Sequence, residues 1–322
     1  MKPFSRSLLD LFDSKRRYVI PLFQRQYSWK QEEQLEPLWS DVVDKAERRL
    51  SNNEQPQHFL GAIVIDLQKT FGNELPEYLV IDGQQRLTTF QLLLAAFRDY
   101  CRSRNNLRYA EELDRYVLNT GIMANEQVEK YKVWPTQTDR KQFQLAVSGD
   151  GVGSVQKAAA GEFSARKLGV EPRILNSYLY FYESIRRFCE NERGEQSSDR
   201  FIEALFTALR KDLVLVSIEL EGDDDPQVIF ETLNARGEPL AAADLLRNYV
   251  LLRATKSGTD VEALYQRFWA PLDGVFWKAS EGRGRYKRPR VDMFFQYTLQ
   301  SKTGEEVNVG RLFAEYKRWI AT

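Results

Sequence analysis

The stretch Tyr78–Leu94, YLVIDGQQRLTTFQLLL, contains a short apolar run, a glycine turn and the start of a helix. Tyr78–Ile81 reads as a buried strand, and apolar residues return at helical spacing after the turn. The first turn of a helix leaves backbone N–H groups without partners, and the aligned peptide dipoles place a partial positive charge there. The segment therefore predicts a strand, a turn at Asp82–Gly83 and a helix start that can receive an anion.

The side chains around this turn suit a phosphate. Gly83 allows close approach to the backbone, and Arg86 offers a planar fork of donors. Neutral donors follow at Gln84, Gln85, Thr88 and Thr89. An alternative is that Asp82 and Gln85 form a capping box for the helix itself, with Arg86 solvated. Since a carboxylate repels a phosphate, phosphate binding also predicts a cation such as Mg²⁺ between Asp82 and the ligand.

Composition limits the classes of protein that the chain can represent. Its 322 residues are 43% hydrophobic, enough for a substantial core in one large or two ordinary domains. Lys and Arg number 46 and so do Asp and Glu, so any nucleic-acid contact must come from a local patch. Cys101 and Cys189 form neither a disulfide framework nor a zinc motif, which indicates a reducing, cytoplasmic setting. With no signal-peptide core and no long apolar run, we expect no membrane contact.

The only histidine of the chain is His58. A single histidine cannot build a histidine-rich metal centre, an HNH-type nuclease site or a two-histidine phosphotransfer system. Those chemistries are excluded by residue inventory. His58 opens a predicted strand over 58–66, where a structural role is favoured over a catalytic one.

A second candidate segment precedes the first long helix. The strand-like run Tyr18–Phe23 leads into a loop, and Ser28 with Gln31 predicts a capping box for a helix over 29–50. The residues of that loop are Gln24, Arg25, Gln26 and Tyr27. Donors and aromatic faces on a loop suit a phosphate, a base or a sugar. The alternative is that the aromatic residues belong to the core and that the arginine pairs with an acid.

Helical patterns dominate the rest of the chain. Helices are predicted over 5–15, 90–102, 107–118, 139–147, 172–191, 198–211 and 242–254, and one further strand over 213–220. The glycine-rich segment Ser148–Ser154 lacks the Gly-Lys-Ser/Thr ending of a phosphate loop and predicts a linker or loop tip. We therefore predict an α+β protein, with a small mixed sheet and helices in a domain 1–105 and a mainly helical domain 106–322.

Two polar segments mark the predicted helical domain. The turn around Asn234 and Arg236 ends at Gly237, a natural helix stop, and its polar groups serve a ligand or join two helices. In the segment 278–290 only Glu281 opposes the cations, which suits contact with nucleic-acid phosphates or a solvated surface loop. The candidate DNA contacts in this basic segment are Arg285, Lys287, Arg288 and Arg290.

Several of these stretches together resemble the GmrSD restriction-endonuclease N-terminal family. They are, in chain order, Ile20–Trp29 (IPLFQRQYSW), His58–Gly61 (HFLG), Asp82–Thr89 (DGQQRLTT), Phe230–Gly237 (FETLNARG) and Asp244–Leu246 (DLL). The resemblance covers roughly residues 5–254. The family occurs in modification-dependent (type IV) restriction enzymes and in a phosphorothioate-sensing anti-phage effector.

The resemblance implies a core similar to the ParB and sulfiredoxin fold and a bound nucleoside triphosphate, GTP or ATP, with Mg²⁺. The residues implied in catalysis are Asp82, Gln84, Gln85 and Arg86, and Asp82 is also the candidate metal ligand. The candidate nucleotide contacts are Gln24, Arg25, Gly83, Thr88, Asn234 and Arg236. Gln26 and Tyr27 join the basic segment as candidate DNA contacts. Which glutamine positions the attacking water stays open.

The resemblance thus implies the NTP-hydrolysing, DNA-modification-sensing part of an anti-phage restriction system. Its expected partners are modified double-stranded DNA and an HNH nuclease domain, in the same protein or in a partner chain, and a homo-oligomer is left open. This chain has no counterpart of the HNH domain, and it ends at Thr322 without an obvious cap, as expected before a further domain. The alternative is a non-catalytic DNA-binding or regulatory module with a degenerate nucleotide pocket.

Overall fold

The protein is described from a computed structural model that covers residues 1–22, 24–51, 53, 56–169, 171–190, 195–222, 224, 226, 228–229, 232, 241–282 and 287–321. The chain divides into two compact units. The first unit comprises Met1–Pro21 and Gln26–Asp224, and the second comprises Leu22–Arg25 and Asp225–Thr322. The predicted boundary at residue 105 falls inside the first unit, and the division into domains 1–105 and 106–322 stays a prediction.

A six-stranded mixed sheet lies at the centre of the first unit. In spatial order its strands are β1 (Lys2–Ser7), β6 (Leu213–Glu219), β3 (His58–Leu67), β4 (Glu77–Asp82), β2 (Arg17–Val19) and β5 (Val133–Trp134). The pairs β1–β6 and β3–β4 are antiparallel, and the other three neighbouring pairs are parallel. A mixed sheet surrounded by helices confirms the predicted α+β class.

Helices pack around this sheet and make up most of the second unit. In the first unit they are α1 (Leu8–Asp13), α2 (Glu36–Leu50), α3 (Gln84–Ser103), α4 (Leu107–Val117), α5 (Glu126–Glu129), α6 (Gln137–Val147), α7 (Val152–Ala160), α8 (Ala165–Leu168), α9 (Arg173–Glu190) and α10 (Glu195–Lys211). In the second they are α11 (Ala242–Lys256), α12 (Val261–Leu264), α13 (Val275–Lys278), α14 (Arg290–Thr303) and α15 (Leu312–Ala321), beside a two-stranded ribbon of β7 (Ser280–Glu281) and β8 (Arg288–Pro289). None of the described helices has both the length and the apolar composition needed to cross a bilayer.

Helix α3 is the central helix of the first unit. Every residue from Leu87 to Cys101 is buried, because apolar side chains occupy all faces of this part of the helix rather than one stripe. The helix packs against α4 and α9. Its first turn follows β4 directly, so the candidate phosphate turn is fixed at the junction of the sheet and the best-buried helix.

Charged groups at the far end of α3 are buried together. Arg98 is fully buried and donates to Asp99 Oδ1 at 2.8 Å, Asp114 Oδ1 at 3.2 Å and the Val147 carbonyl at 3.0 Å. Tyr178 of α9 donates to Asp99 Oδ2 at 2.6 Å, and burial together with that carboxylate raises the pKa of its hydroxyl. This network joins α3, α4, α9 and the end of α6, and breaking it leaves a buried charge without its partner.

The single histidine and the two cysteines have structural surroundings. His58 Nε2 lies 3.2 Å from Asp41 Oδ2, at the start of β3. Cys101 and Cys189 are free and buried, and burial raises the pKa of the Cys189 thiol to about 12. The contact with Asp41 is consistent with the structural role favoured for His58. Both cysteines are free, and the sequence predicted no disulfide framework.

Several local predictions differ from the structure. The chain begins with strand β1, not with a helix from residue 5, because β1 pairs with β6 more than 200 residues later. Of the predicted run Tyr18–Phe23, Tyr18 and Val19 belong to strand β2, residues 20–22 do not, and Phe23 lies outside the described residues. Helix α7 begins at Val152, inside the segment predicted as a linker. In the first case the partner strand is remote in sequence, so no local pattern indicated the pairing.

Candidate functional site

The turn between β4 and α3 is formed by Gly83. Its φ of +94° is a left-handed conformation, and a Cβ at this position would lie 2.5 Å from Ile63 Cγ2. Gly83 is also the N-cap of α3 and, having no side chain, contributes no cap bond. The first helical hydrogen bond runs from Leu87 N to Gly83 O at 3.0 Å, so the N–H groups of residues 84–86 precede the helical ladder. Gly83 is buried, and its lack of a Cβ lets the turn pack against β3, while the N-terminal dipole of α3 follows directly.

The capping-box alternative for this turn is wrong. Gln85 does not bond back to the turn; its Oε1 accepts from Ser28 N at 2.8 Å and its Nε2 donates to Gln26 O at 3.2 Å. The buried Gln85 amide thus holds the loop Gln26–Ser28 against the first turn of α3. Both of its polar atoms are used in this way, so Gln85 is a positioning residue for the loop.

The guanidinium of Arg86 is fixed against strand β3. Its Nη1 donates to the Ala62 carbonyl at 3.1 Å, and a Cβ on Gly61 would lie 2.8 Å from Arg86 Nε. Gly61 has φ +104°, and the β3–β6 register shifts between Phe59 and Ala62. The irregularity in β3 leaves the space that the guanidinium occupies. The sequence quoted Gly61 only within the HFLG resemblance, and nothing in its spacing indicated this contact.

Tyr27 belongs to the core of the first unit. Its hydroxyl lies 2.7 Å from Thr89 Oγ1 and accepts from Ser177 Oγ at 3.3 Å, and its backbone N donates to Asp139 Oδ2 at 2.7 Å. Burial raises the pKa of this hydroxyl to about 12. The arrangement matches the core-aromatic alternative and does not favour a direct DNA contact by Tyr27, while the neighbouring Gln26 is exposed.

The predicted capping box at Ser28 and Gln31 is also wrong. Ser28 N is bonded to Gln85, and the chain enters a π-helical turn at Gln31–Leu35 whose N-cap, Lys30, makes no side-chain cap bond. Arg173 of α9 donates to the Ser28 carbonyl at 2.5 Å. Residues of α3 and α9 therefore both hydrogen-bond to the backbone of this loop. These tertiary contacts replace the capping bonds that the local sequence predicted.

A cleft of about 240 Å³ adjoins this loop. Its lining includes Trp29, Lys30, Glu32, Glu33, Glu171, Arg173 and Asn176. Three carboxylates face two cations, and Lys30 pairs with Glu33, whose pKa is lowered by that hydrogen bond. The excess of carboxylates disfavours a phosphate in this cleft.

The remaining candidate residues divide among three settings. Asp82 and Gln84 are half-buried beside the turn, whereas Thr88 is 3% exposed, which does not favour a nucleotide contact. Gln24 and Arg25 are grouped with the second unit, so their place at the nucleotide stays a prediction. Asn234, Arg236 and Arg285 lie outside the described residues. Lys287, Arg288 and Arg290 all belong to the second unit.

The donor set at the turn fits a magnesium ion held with a nucleotide. The described residues contain no cluster of three or more His, Cys, Asp or Glu side chains suited to a metal. Mg²⁺ is commonly held by one or two carboxylates, water and substrate phosphates rather than by an all-protein cage. Asp82, the residue before Gly83, would supply such a carboxylate.

A comparison with known protein families found a family model that spans these segments. The family model described as GmrSD restriction endonuclease, N-terminal domain, matches residues 8–251. The match covers most of the chain, including the turn at Gly83, the loop Gln26–Ser28 and strand β3. A comparison with curated proteins found no match.

Proposed function

Because the chain belongs to the GmrSD restriction endonuclease N-terminal domain family, and is thus a component of a restriction system, we propose that it binds and hydrolyses a nucleoside triphosphate. The triphosphate, GTP or ATP, would lie at the turn Asp82–Arg86 with Mg²⁺. Hydrolysis would report the modification state of DNA to a nuclease domain, of the HNH class in this family, in the same protein or in a partner chain.

One observation carries the proposal: the N-cap of α3 is a glycine, which has no side chain to cap the helix, and the guanidinium of Arg86 is held in the first turn. Gly83 adopts its left-handed conformation without steric cost, and β3 fixes Arg86 through the Ala62 carbonyl. A helix that only satisfied its own termini would show the capping box between Asp82 and Gln85. Backbone N–H groups at a helix start and a positioned arginine are what phosphate oxygens require.

The surroundings of each side chain suggest its role in hydrolysis. Arg86 would stabilise the charge that spreads over the phosphoryl oxygens in the transition state. Gln84 would position the attacking water, because the amide of its neighbour Gln85 is already bonded to the loop Gln26–Ser28. Asp82 would hold Mg²⁺, which when bound neutralises phosphate charge.

DNA sensing is assigned to the second unit. Lys287 is exposed and Arg288 is half-buried, in the basic segment that the sequence indicated. Salt-dependent contacts with the phosphate backbone would bring DNA to this unit. Nucleotide occupancy would then change which conformation of the protein is favoured and thereby license or release the nuclease. Modified DNA, with a modified base or a phosphorothioate backbone, is the proposed signal.

The test of the nucleotide site is phosphate release by the purified chain with Mg²⁺ and each of the two nucleotides. We expect Arg86→Ala to lower turnover by about 100-fold or more, as for other removed transition-state donors. Arg104→Ala is the matched control, because Arg104 is an exposed arginine that follows the opposite end of the same helix. Both variants should keep the wild-type circular dichroism spectrum.

Undiminished hydrolysis by Arg86→Ala would show that the turn Asp82–Arg86 is not the hydrolytic site. An absence of turnover in the wild type, together with salt-sensitive DNA binding, would support the alternative of a non-catalytic DNA-binding module with a degenerate pocket. In that case neutralising Lys287, Arg288 and Arg290 should weaken binding and reduce its dependence on salt.

A further inference from the structure

The second unit presents aromatic side chains to solvent on two neighbouring helices. Phe276 of α13 is 60% exposed, and Phe294 and Tyr297 of α14 are 40% and 58% exposed. Positions 290, 294 and 297 are spaced so that Arg290, Phe294 and Tyr297 share one face of α14. We call Phe276, Phe294 and Tyr297 the aromatic face.

Two rings of the aromatic face, those of Phe276 and Phe294, are anchored to the interior of the second unit. Trp277 bridges Phe276 and Phe294, with ring centroids 5.3 and 5.2 Å away. Phe294 contacts Phe295 at 5.4 Å, and Phe295 stacks on Trp269 at 5.3 Å. Phe295 and Trp269 in turn pack on the buried cluster of Leu246, Leu299, Val307 and Leu312. Two exposed rings therefore belong to a fixed array, and fixed rings lose little conformational entropy on binding.

Positive charge lies directly beside these rings. The Arg290 guanidinium lies 4.3 Å from the centre of the Phe276 ring while its Nε donates to Glu281 at 2.7 Å. Lys287, on the same basic segment, is exposed. Cations at the edge of an aromatic surface match the chemistry of a strand that carries both flat bases and phosphates.

We propose that the aromatic face and the adjoining basic residues bind single-stranded DNA, with unstacked bases on the rings and phosphates on the cations. In a duplex both faces of each base are covered by neighbouring pairs, so the rings can reach only bases that have left the stack. Aromatic and arginine side chains are also common at protein interfaces, but lysine is depleted there, and Lys287 is exposed on the same segment. The inference rests on the proposed DNA-dependent function and names the form of DNA that this surface takes.

The test compares three labelled ligands by fluorescence anisotropy: a DNA strand of about 20 nucleotides, which exceeds the usual site size, its duplex and the equivalent RNA. Phe276→Ala and Tyr297→Ala should each weaken single-strand binding by about fivefold or more, since one base–aromatic stack contributes about 1–3 kcal/mol. Phe71→Ala is the control, because Phe71 is 76% exposed in the first unit, remote in sequence from the basic segment. Duplex binding should change little in all three variants.

Single-strand binding that is unchanged in both aromatic variants would overturn the inference, as would a wild-type preference for the duplex or for RNA. Loss of self-association in Tyr297→Ala, seen by sedimentation without any change in DNA affinity, would instead show a contact between copies of the chain and also overturn it. Phosphate release is measured on the same samples. Turnover that depends on Arg86 while the aromatic variants bind DNA normally would leave the proposed function standing and this inference refuted.

Discussion

Gln84 and Gln85 are adjacent in sequence but have different surroundings. Gln85 is buried and bonds the backbone of the loop at Gln26 and Ser28, whereas Gln84 is half-buried beside the phosphate turn. From the sequence, both glutamines were predicted to be hydrogen-bond donors for a ligand at this turn. In the structure the amide of Gln85 holds the loop, and the half-buried Gln84 is the glutamine to which we give the proposed role at the ligand.

Replacing each glutamine by alanine should therefore have different effects. Gln85→Ala leaves the Ser28 N–H and the Gln26 carbonyl without their partner, so we expect the free energy of unfolding to fall by about 1–3 kcal/mol. Gln84→Ala should lower phosphate release with little change in stability. Urea unfolding and steady-state turnover of the two variants measure the separation. Equal stability of the two proteins would contradict the role given to Gln85.

Lys132 gives the protein a pH dependence that can be measured. It is 2% exposed, donates to Ser14 O and Asn119 Oδ1, and burial lowers its pKa to about 8. Between pH 8 and 10 the unfolded chain keeps a proton that the folded protein has lost, so the free energy of unfolding should rise with pH. The gain approaches about 1.4 kcal/mol for each pH unit in that window.

Comparison with Lys132→Met isolates this contribution. Urea unfolding of both proteins at pH 7, 8, 9 and 10 gives the difference in their free energies of unfolding. That difference should shift in favour of the wild type as pH rises above about 8. A difference that is constant across the range would show that the Lys132 ammonium is not destabilised by burial.

At the scale of elements, strand β3 and helix α3 form the site together. Gly61, Ala62 and Ile63 are consecutive in β3: Gly61 leaves room for Arg86, the Ala62 carbonyl accepts a hydrogen bond from its guanidinium, and Ile63 packs against Gly83. One irregular stretch of strand thus sets both the arginine and the turn. The geometry of the first turn of α3 depends on β3 as much as on its own sequence.

Gly61→Ala tests this dependence. The new Cβ would meet Arg86 Nε at 2.8 Å and displace the guanidinium, so we expect turnover to fall towards the level of Arg86→Ala. Gly72→Ala is the matched control: Gly72 also has a positive φ, of +61°, but no atom lies within 4 Å of its added Cβ. Both variants share a strained backbone, of about 1–3 kcal/mol, and only Gly61→Ala should lose hydrolysis. Equal turnover in the two variants would show that hydrolysis does not depend on the position in which β3 holds Arg86.

The parts of the fold that the sequence predicted are those determined by residues close together in the chain. Strands β3, β4 and β6 and most of the long helices were predicted, because their apolar periodicity is local. Strand β1 was missed because its partner β6 is remote in sequence. Both capping boxes failed for one reason: Gln85 and Ser28, each predicted to cap its own helix, bond to one another. Local patterns identified the phosphate turn but not the space that Gly61 makes for Arg86.

For the whole molecule, two compact units share the proposed tasks. The first contains the phosphate turn, and the second contains the basic segment and the aromatic face. In the proposed function, the affinity of one unit for its ligand must depend on whether the other unit has bound its own ligand. By linkage, DNA that alters nucleotide affinity must have its own affinity altered by the nucleotide to the same extent.

The most direct test of this account is phosphate release from ATP, GTP, CTP and UTP by the chain with Mg²⁺, alone and with unmodified or modified duplex DNA. The account predicts turnover of at least one nucleotide, dependent on Arg86, with a rate that changes when modified DNA is added. A rate that is the same with and without every DNA would contradict the sensing role. Turnover of no nucleotide would contradict the central claim that the turn at Gly83 is a hydrolytic site.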